Sequence, residues 1–128
     1  MLAMRSLWLV ALGGAIGAVA RATLSTAIHA RWPSSLPWGT IVVNLTGCLI
    51  LGLLAGYLES RPHLNPTWRA FGAVGVLGAF TTFSTFENET LALLQRGDVP
   101  AALANVGLSV AAGLLAVWTG VNLGRTIS

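Results

Sequence analysis

The chain has 128 residues, of which 55% are hydrophobic and only 9% charged. A water-soluble domain carries about 25% charged residues, so a shortfall this large excludes an ordinary soluble fold and points to lipid as the solvent. The net charge of +3 rests on arginines scattered singly along the chain, with no basic stripe, which excludes a nucleic-acid-binding surface.

A helix needs about 20 mostly apolar residues to cross the hydrocarbon core of a bilayer, and four segments qualify. The first covers residues 7–28 and is interrupted by Arg21. The second covers 38–58 within an uncharged stretch, the third 68–94, and the fourth 101–123, which carries no charge. Pro33 and Pro37 separate the first two, Pro62 and Pro66 the next two, and residues 96–100 turn the chain into the last. Proline and charge are helix-end signals. Trp8, Trp32, Trp38, Trp68 and Trp118 fall near span ends, where an aromatic belt places them. The sequence therefore predicts a single all-α integral membrane domain over residues 1–128.

Residues 1–20 also resemble a cleavable leader, with an early arginine, an apolar run and Ala18-Val19-Ala20. Three further spans follow and the glycine-rich run continues, which favours a retained helix. Gly13 and Gly17, Gly52 and Gly56, and Gly120 and Gly124 are each four apart, a spacing that lets helix backbones approach in lipid. Cys48, the only cysteine, reads as a small packing residue. His29 and His63 fall at helix ends or in loops.

With four spans, Arg5, Arg61, Arg69 and Arg125 share one side of the membrane, and Arg31 and Arg96, with Arg21 at depth, share the other. Arginine bias in short loops sets orientation. A nearly flat bias agrees with a chain that inserts both ways up and pairs as an antiparallel, dual-topology homodimer.

The third segment is unusual. Gly72, Gly75 and Gly78 precede Thr81, Thr82, Ser84, Thr85 and Glu87, too many polar side chains to face lipid. A left-handed glycine would stop a helix there, and Ser84 with Glu87 resembles a capping box restarting one. A break near 78–82 is expected; the other reading is a continuous helix whose hydroxyls bond back to its own carbonyls. A broken helix at membrane depth is tolerated only inside protein or around a cavity, where carbonyls suit cations and N–H groups suit anions. Phe80, Phe83 and Phe86 recur every three residues, roughly one helical face, as packing or as ring edges, whose partial positive charge suits a small anion. Asn44 lies mid-span on one face with Thr40 and Gly47, as interhelical glue or as a pore donor. Asn105, Ser109 and Gly113 make a weaker polar stripe in the fourth span. Asn44-Leu-Thr46 and Asn88-Glu-Thr90 match the glycosylation pattern, for Asn44 accidentally if it lies in the membrane. No HExxH, Walker or GxSxG motif is present, so nothing indicates an enzyme.

Three motifs carry a resemblance: GAIGAVAR over 14–21, PWGTIVVNLTG over 37–47 and GVLGAFTTFSTFENE over 75–89. Together they make the chain similar to the Fluc (CrcB-like) fluoride channels over nearly its whole length. The resemblance implies a fluoride-selective channel in a bacterial inner membrane, letting cytoplasmic fluoride leave the cell. It implies an antiparallel homodimer with two pores and a structural sodium ion at its centre, held by the backbone carbonyls of Gly78 and Thr81 from both copies. It assigns Phe83, Phe86 and Asn44 to the pore, with Ser84, Thr85 and Ser109 as hydroxyl positions. Arg21 and Glu89 then belong to a vestibule. Two departures stand out. Gly113 occupies a place where relatives can carry a hydroxyl, and Glu87 adds a carboxylate that is expected to face away from an anion path or to meet Arg96. The rival readings are a proton-coupled small multidrug transporter, which would need a membrane-embedded acid that this chain lacks before Glu59, and a non-transporting helper subunit.

Overall fold

The computed structural model describes residues 4–128, the side chain of Arg5 excepted. The first three residues of the leader-like segment, and the Arg5 side chain counted in the arginine balance, lie outside the described residues. Every regular element is helical: α1 Met4–Arg31, α2 Trp38–Glu59, α3 Pro66–Arg69, a π-helical stretch Ala70–Leu77, α4 Gly78–Phe80, α5 Phe83–Gln95 and α6 Val99–Thr126. Among the described residues, three helices are long and apolar enough to cross a membrane, at Ser6–Arg31, Trp38–Glu59 and Val99–Thr126. The remaining apolar segment is not one helix. It runs from Pro66 to Phe80 with a widened middle, breaks at Thr81 and Thr82, and resumes at Phe83.

The turns follow local chemistry. Asn65 caps α3, its side chain accepting from the Thr67 N–H at 3.0 Å, with Pro66 in the first turn. Proline is suited to that position because its missing N–H would have had no helical partner. At the end of α5, Gly97 takes φ 77°. The Gly97 N–H reaches Leu94 O at 3.0 Å and the Asp98 N–H reaches Leu93 O at 2.9 Å. This paired return to the last turn is a Schellman ending, which needs the left-handed conformation that glycine supplies. Asp98 then caps α6, accepting from the Ala101 N–H at 3.2 Å.

Two close backbone approaches hold the bundle together. Helices α2 and α6 cross at their glycine pairs. A Cβ on Gly52 would run into Val117 O, and one on Gly120 into Leu49 O; Gly56 and Gly124 repeat the pattern one turn on. Gly13 and Gly17 of α1 lie in the same way against Phe71 O and Val76 O of the π-helical stretch. In lipid, helices gain nothing from hiding apolar surface, so such close packing supplies the association. The π-helical stretch, wider than an α-turn, was not foreseen; it contains Gly72 and Gly75, and Gly75 packs on Gly13 Cα. Many large apolar side chains remain exposed along the helices, among them Ile16, Val19, Leu114 and Leu115, as lipid-facing surface requires.

Gly52→Val should jam α2 against α6 and lower stability by about 1–3 kcal/mol or more. Gly14→Ala, whose new Cβ would meet only Ala79 Cβ at 4.0 Å, should stay within about 0.5 kcal/mol of the parent. Thermal unfolding in detergent measures both, and equal melting temperatures would remove the crossing from the account of stability.

Candidate functional site

The break sits where α4 ends. Thr81 has φ −82° and ψ 154° and Thr82 has φ −147° and ψ 115°, so two residues are extended between two helices. The cause is not a left-handed glycine: Gly78 is helical at φ −61°, ψ −37°. Nor do Ser84 and Glu87 restart the helix. Thr82 does so, its Oγ1 accepting from the Thr85 N–H at 3.3 Å while its own hydroxyl donates to Thr85 Oγ1 at 3.0 Å. Serine and threonine cap helices in this way wherever their oxygen can reach the third N–H.

Asn44 of α2 brackets the break. Its Oδ1 accepts from the Thr82 N–H at 2.7 Å and its Nδ2 donates to Thr82 O at 3.0 Å. One amide side chain thus serves both backbone groups of one extended residue, as a neighbouring strand would. The bracket has a consequence for the carbonyls behind it. In an unbroken helix Gly78 O would accept from the Thr82 N–H, and Thr81 O from the Thr85 N–H. The first donor is now spent on Asn44 and the second on Thr82 Oγ1. Among the described residues, no backbone N–H outside the helices reaches either carbonyl. Leu77 O, by contrast, accepts both the N–H and the hydroxyl of Thr81, each at 3.1 Å.

An open groove of about 320 Å³ lies along the break. It brings together Asn44, Gly78, Thr81, Phe83, Phe86 and Ser109 of the residues singled out by sequence. Phe83 and Phe86 have ring centroids 5.9 Å apart, tilted by 44°. Phe83 is 74% exposed and Phe86 6%. Phe80 does not share their face, because the break separates it from them; it is buried near Gly47. Thr82, Gly47 and Cys48 also line the groove. Cys48, read as packing, faces Gly113, with Sγ 3.8 Å from where a Gly113 Cβ would lie. Thr82 was not singled out, although a threonine three residues before Thr85 is the signal that would have found its cap.

The other candidates lie apart from the groove. Ser84 is exposed and Thr85 is engaged by Thr82. Glu89 accepts from Thr40 Oγ1 at 2.8 Å and lines a separate polar pocket with His29, Asn88 and Arg96. Glu89 Oε2 and Arg21 Nε are both buried without a hydrogen-bond partner among the described residues. Glu87 is exposed and makes no ion pair with Arg96, whose Nε donates to Ala92 O at 3.3 Å. Behind Phe86 a second polar chain was only partly visible in sequence. Asn105, 0% exposed, donates to Thr90 Oγ1 at 2.9 Å and accepts from Ser109 at 3.4 Å, which orients the groove's serine.

A multi-pass helical membrane protein built around a broken helix has the architecture on which ion-handling membrane proteins rely. The chain belongs to the CrcB-like family: the family described as "CrcB-like protein, Camphor Resistance (CrcB)" matches residues 8–121. It is 46% identical over 124 residues to the "Fluoride-specific ion channel FluC" of Acidobacterium capsulatum, covering 97% of this chain and 98% of that one. It is 49% identical over 118 residues to the protein of the same name from Magnetococcus marinus, covering 92% and 96%. It is also 49% identical over 114 residues to "Fluoride-specific ion channel FluC 2" of Symbiobacterium thermophilum, covering 89% and 93%.

Asn44→Leu keeps the side chain's approximate size and removes both bracket bonds. Leaving the part-buried Thr82 amide and carbonyl unpaired should cost about 1–3 kcal/mol and speed hydrogen exchange at Thr82. A variant that melts and exchanges like the parent would show that the bracket does not hold the break.

Proposed function

We propose that this chain is the subunit of a fluoride-selective channel, and not an enzyme, that lets cytoplasmic fluoride leave a bacterial cell across the inner membrane. The observation that carries the reading is the groove at the break, which gathers donors for an anion without a fixed charge. The names of the relatives supply the ion. Fluoride is small and tightly hydrated, so a dry path must replace its water with several donors. The second amide hydrogen of Asn44 and the edges of Phe83 and Phe86 are available in the groove; Ser109 would donate to the ion by turning its proton from Asn105, and Ser84 and Thr85 would offer hydroxyls just outside the lining. The first N–H groups of α5 carry the positive end of a helix dipole. An ion held this way binds firmly enough to enter and loosely enough to leave. Glu87, exposed and outside the groove, does not oppose it. Arg21 and Glu89 take vestibule roles, and their orphaned buried atoms support placing them where water and ions arrive.

The working unit in this proposal is an antiparallel, dual-topology homodimer of one-domain, four-span chains, with two pores. Three observations support it. The arginines are nearly balanced between the two sides. The segment 66–95, broken as it is, is long enough to reach across as a fourth span. The exposed Phe83 and the open groove at membrane depth need cover, because unpaired backbone is not left facing lipid. The donor set also fits a central sodium ion. Gly78 O and Thr81 O are the carbonyls whose helical donors are diverted, and neutral oxygens suit a hard cation. Two copies would supply four of them, and the bound ion would add positive potential between the pores and tie the copies together.

Ion efflux from liposomes containing only the purified chain, read with fluoride and chloride electrodes, tests the proposal. Fluoride should escape while chloride is retained. Phe83→Ile and Phe86→Ile should each slow fluoride at least about tenfold, a barrier increase of ~1.4 kcal/mol, in a protein that still elutes as a dimer. Undiminished flux in both variants would sink the ring-edge mechanism, and no flux from well-reconstituted protein would favour a helper subunit.

A further inference from the structure

The connector between α1 and α2 forms a groove of about 510 Å³, distinct from the one at the break, lined by Arg31, Trp32, Pro33, Ser34, Trp38 and Val42. Its polar side chains are donors in want of acceptors. Arg31 has no carboxylate within ion-pair distance; the one ion pair among the described residues joins Arg125 to Glu59 at the other end of these helices. No acidic side chain lines the groove. The Ser34 oxygen accepts from the Leu36 N–H at 3.3 Å, leaving its proton to give. Trp32, 58% exposed, and Trp38 also line the groove, and each carries an indole N–H donor. A lone guanidinium among neutral donors, with no acid to balance it, is complementary to an anion of charge −1, and guanidinium matches phosphate oxygens in geometry as well as in charge.

Position identifies the source of that anion. Arg31 ends one span-length helix and Trp38 begins the next, so the groove lies where the hydrocarbon gives way to headgroups. Tryptophan and arginine concentrate at that depth. Below the donors the lining turns apolar. Val42 lies one turn into α2 from Trp38, and residues four apart share a helix face. The groove therefore has a charged upper tier and an apolar lower tier. A free phosphate would use only the first; a phospholipid uses both.

We propose that this groove is a binding site for an anionic glycerophospholipid, with its phosphodiester on Arg31 and the neighbouring N–H and O–H donors and an acyl chain along the Trp38–Val42 face. A zwitterionic lipid fits less well, because nothing acidic in the lining meets its ammonium. Such a lipid would buttress the short connector, residues 32–37, that sets α1 against α2, close to where Gly39 packs on Ser25 O and His29.

Native mass spectrometry of the full chain in mild detergent, with equimolar phosphatidylglycerol and phosphatidylcholine of matched chains, tests this. The parent should retain phosphatidylglycerol preferentially. Arg31→Gln should cut that preference about fivefold, the scale of one basic side chain at an anionic lipid surface. Trp32→Phe, which keeps the ring and removes one donor, should cut it less, and provides the reading if Arg31→Gln does not fold. Arg69→Gln, a cation of a different groove, should leave it unchanged. The proposal is overturned if the first two variants retain the parental preference, if the two lipids bind equally, or if inorganic phosphate at the same concentration displaces the lipid, which would mark a simple anion site.

Discussion

Inside a bilayer a backbone N–H or C=O that loses its helical partner has no water to replace it, and each such group costs several kcal/mol. This chain accepts that cost at Thr81 and Thr82, in the middle of an apolar segment, and the rest of the structure is arranged around it. Asn44 answers half of the problem by pairing with both backbone groups of Thr82. Thr82 answers more of it by capping the helix that follows. What is left over is the carbonyls of Gly78 and Thr81, which the proposed sodium site would use. The same donors that stabilise the break are those withdrawn from these carbonyls, so holding the break open and freeing these carbonyls are one event.

The bracket works only if α2 stands in a fixed place beside the break, and glycine sets that place. The crossings of α2 with α6 and of α1 with the π-helical stretch bring backbones close enough that a single added Cβ would strike a carbonyl. The π-helical stretch carries Gly75, which packs on Gly13 Cα of α1. Behind the groove, the fully buried Asn105 holds Ser109 through a hydrogen bond and is itself tied to α5 through Thr90. A groove so framed is walled by protein on one side and open on the other, the side that the proposed second copy would cover.

Much of this was legible in the residues, and the parts that were not share a physical reason. Hydropathy located the apolar segments to within a few residues, because that signal is summed over many side chains. The glycine pairs announced close crossings, since small residues four apart have few other uses in lipid. The polar run after Gly78 announced a break. Its mechanism was misread: a left-handed Gly78 and a cap from Ser84 were expected, whereas Gly78 stays helical and Thr82 caps. Asn44, on another helix, holds the break that a left-handed Gly78 was expected to make, and a nearer local cap, Thr82, took the place expected of Ser84. Phe80 was grouped with Phe83 and Phe86 because three-residue spacing implies one face, an inference that fails when the helix stops between them. Of the two expectations for Glu87, it takes the first: it is exposed and outside the groove, while Arg96 bonds back to Ala92 O of its own helix.

Composition and pattern alone determined that this chain lives in lipid, that its regular elements are helical, that its helices pack closely, and that the third apolar segment breaks at its polar run. These follow from the solvent and from period, which are properties of the chain taken a window at a time. Only the tertiary structure decided what Asn44 does, which carbonyls lose their donors, which of the phenylalanines face the groove, and that Cys48 meets Gly113 of α6. Those outcomes depend on which backbone group a side chain on a different helix can reach, and that distance is set by helix crossings between residues far apart in sequence.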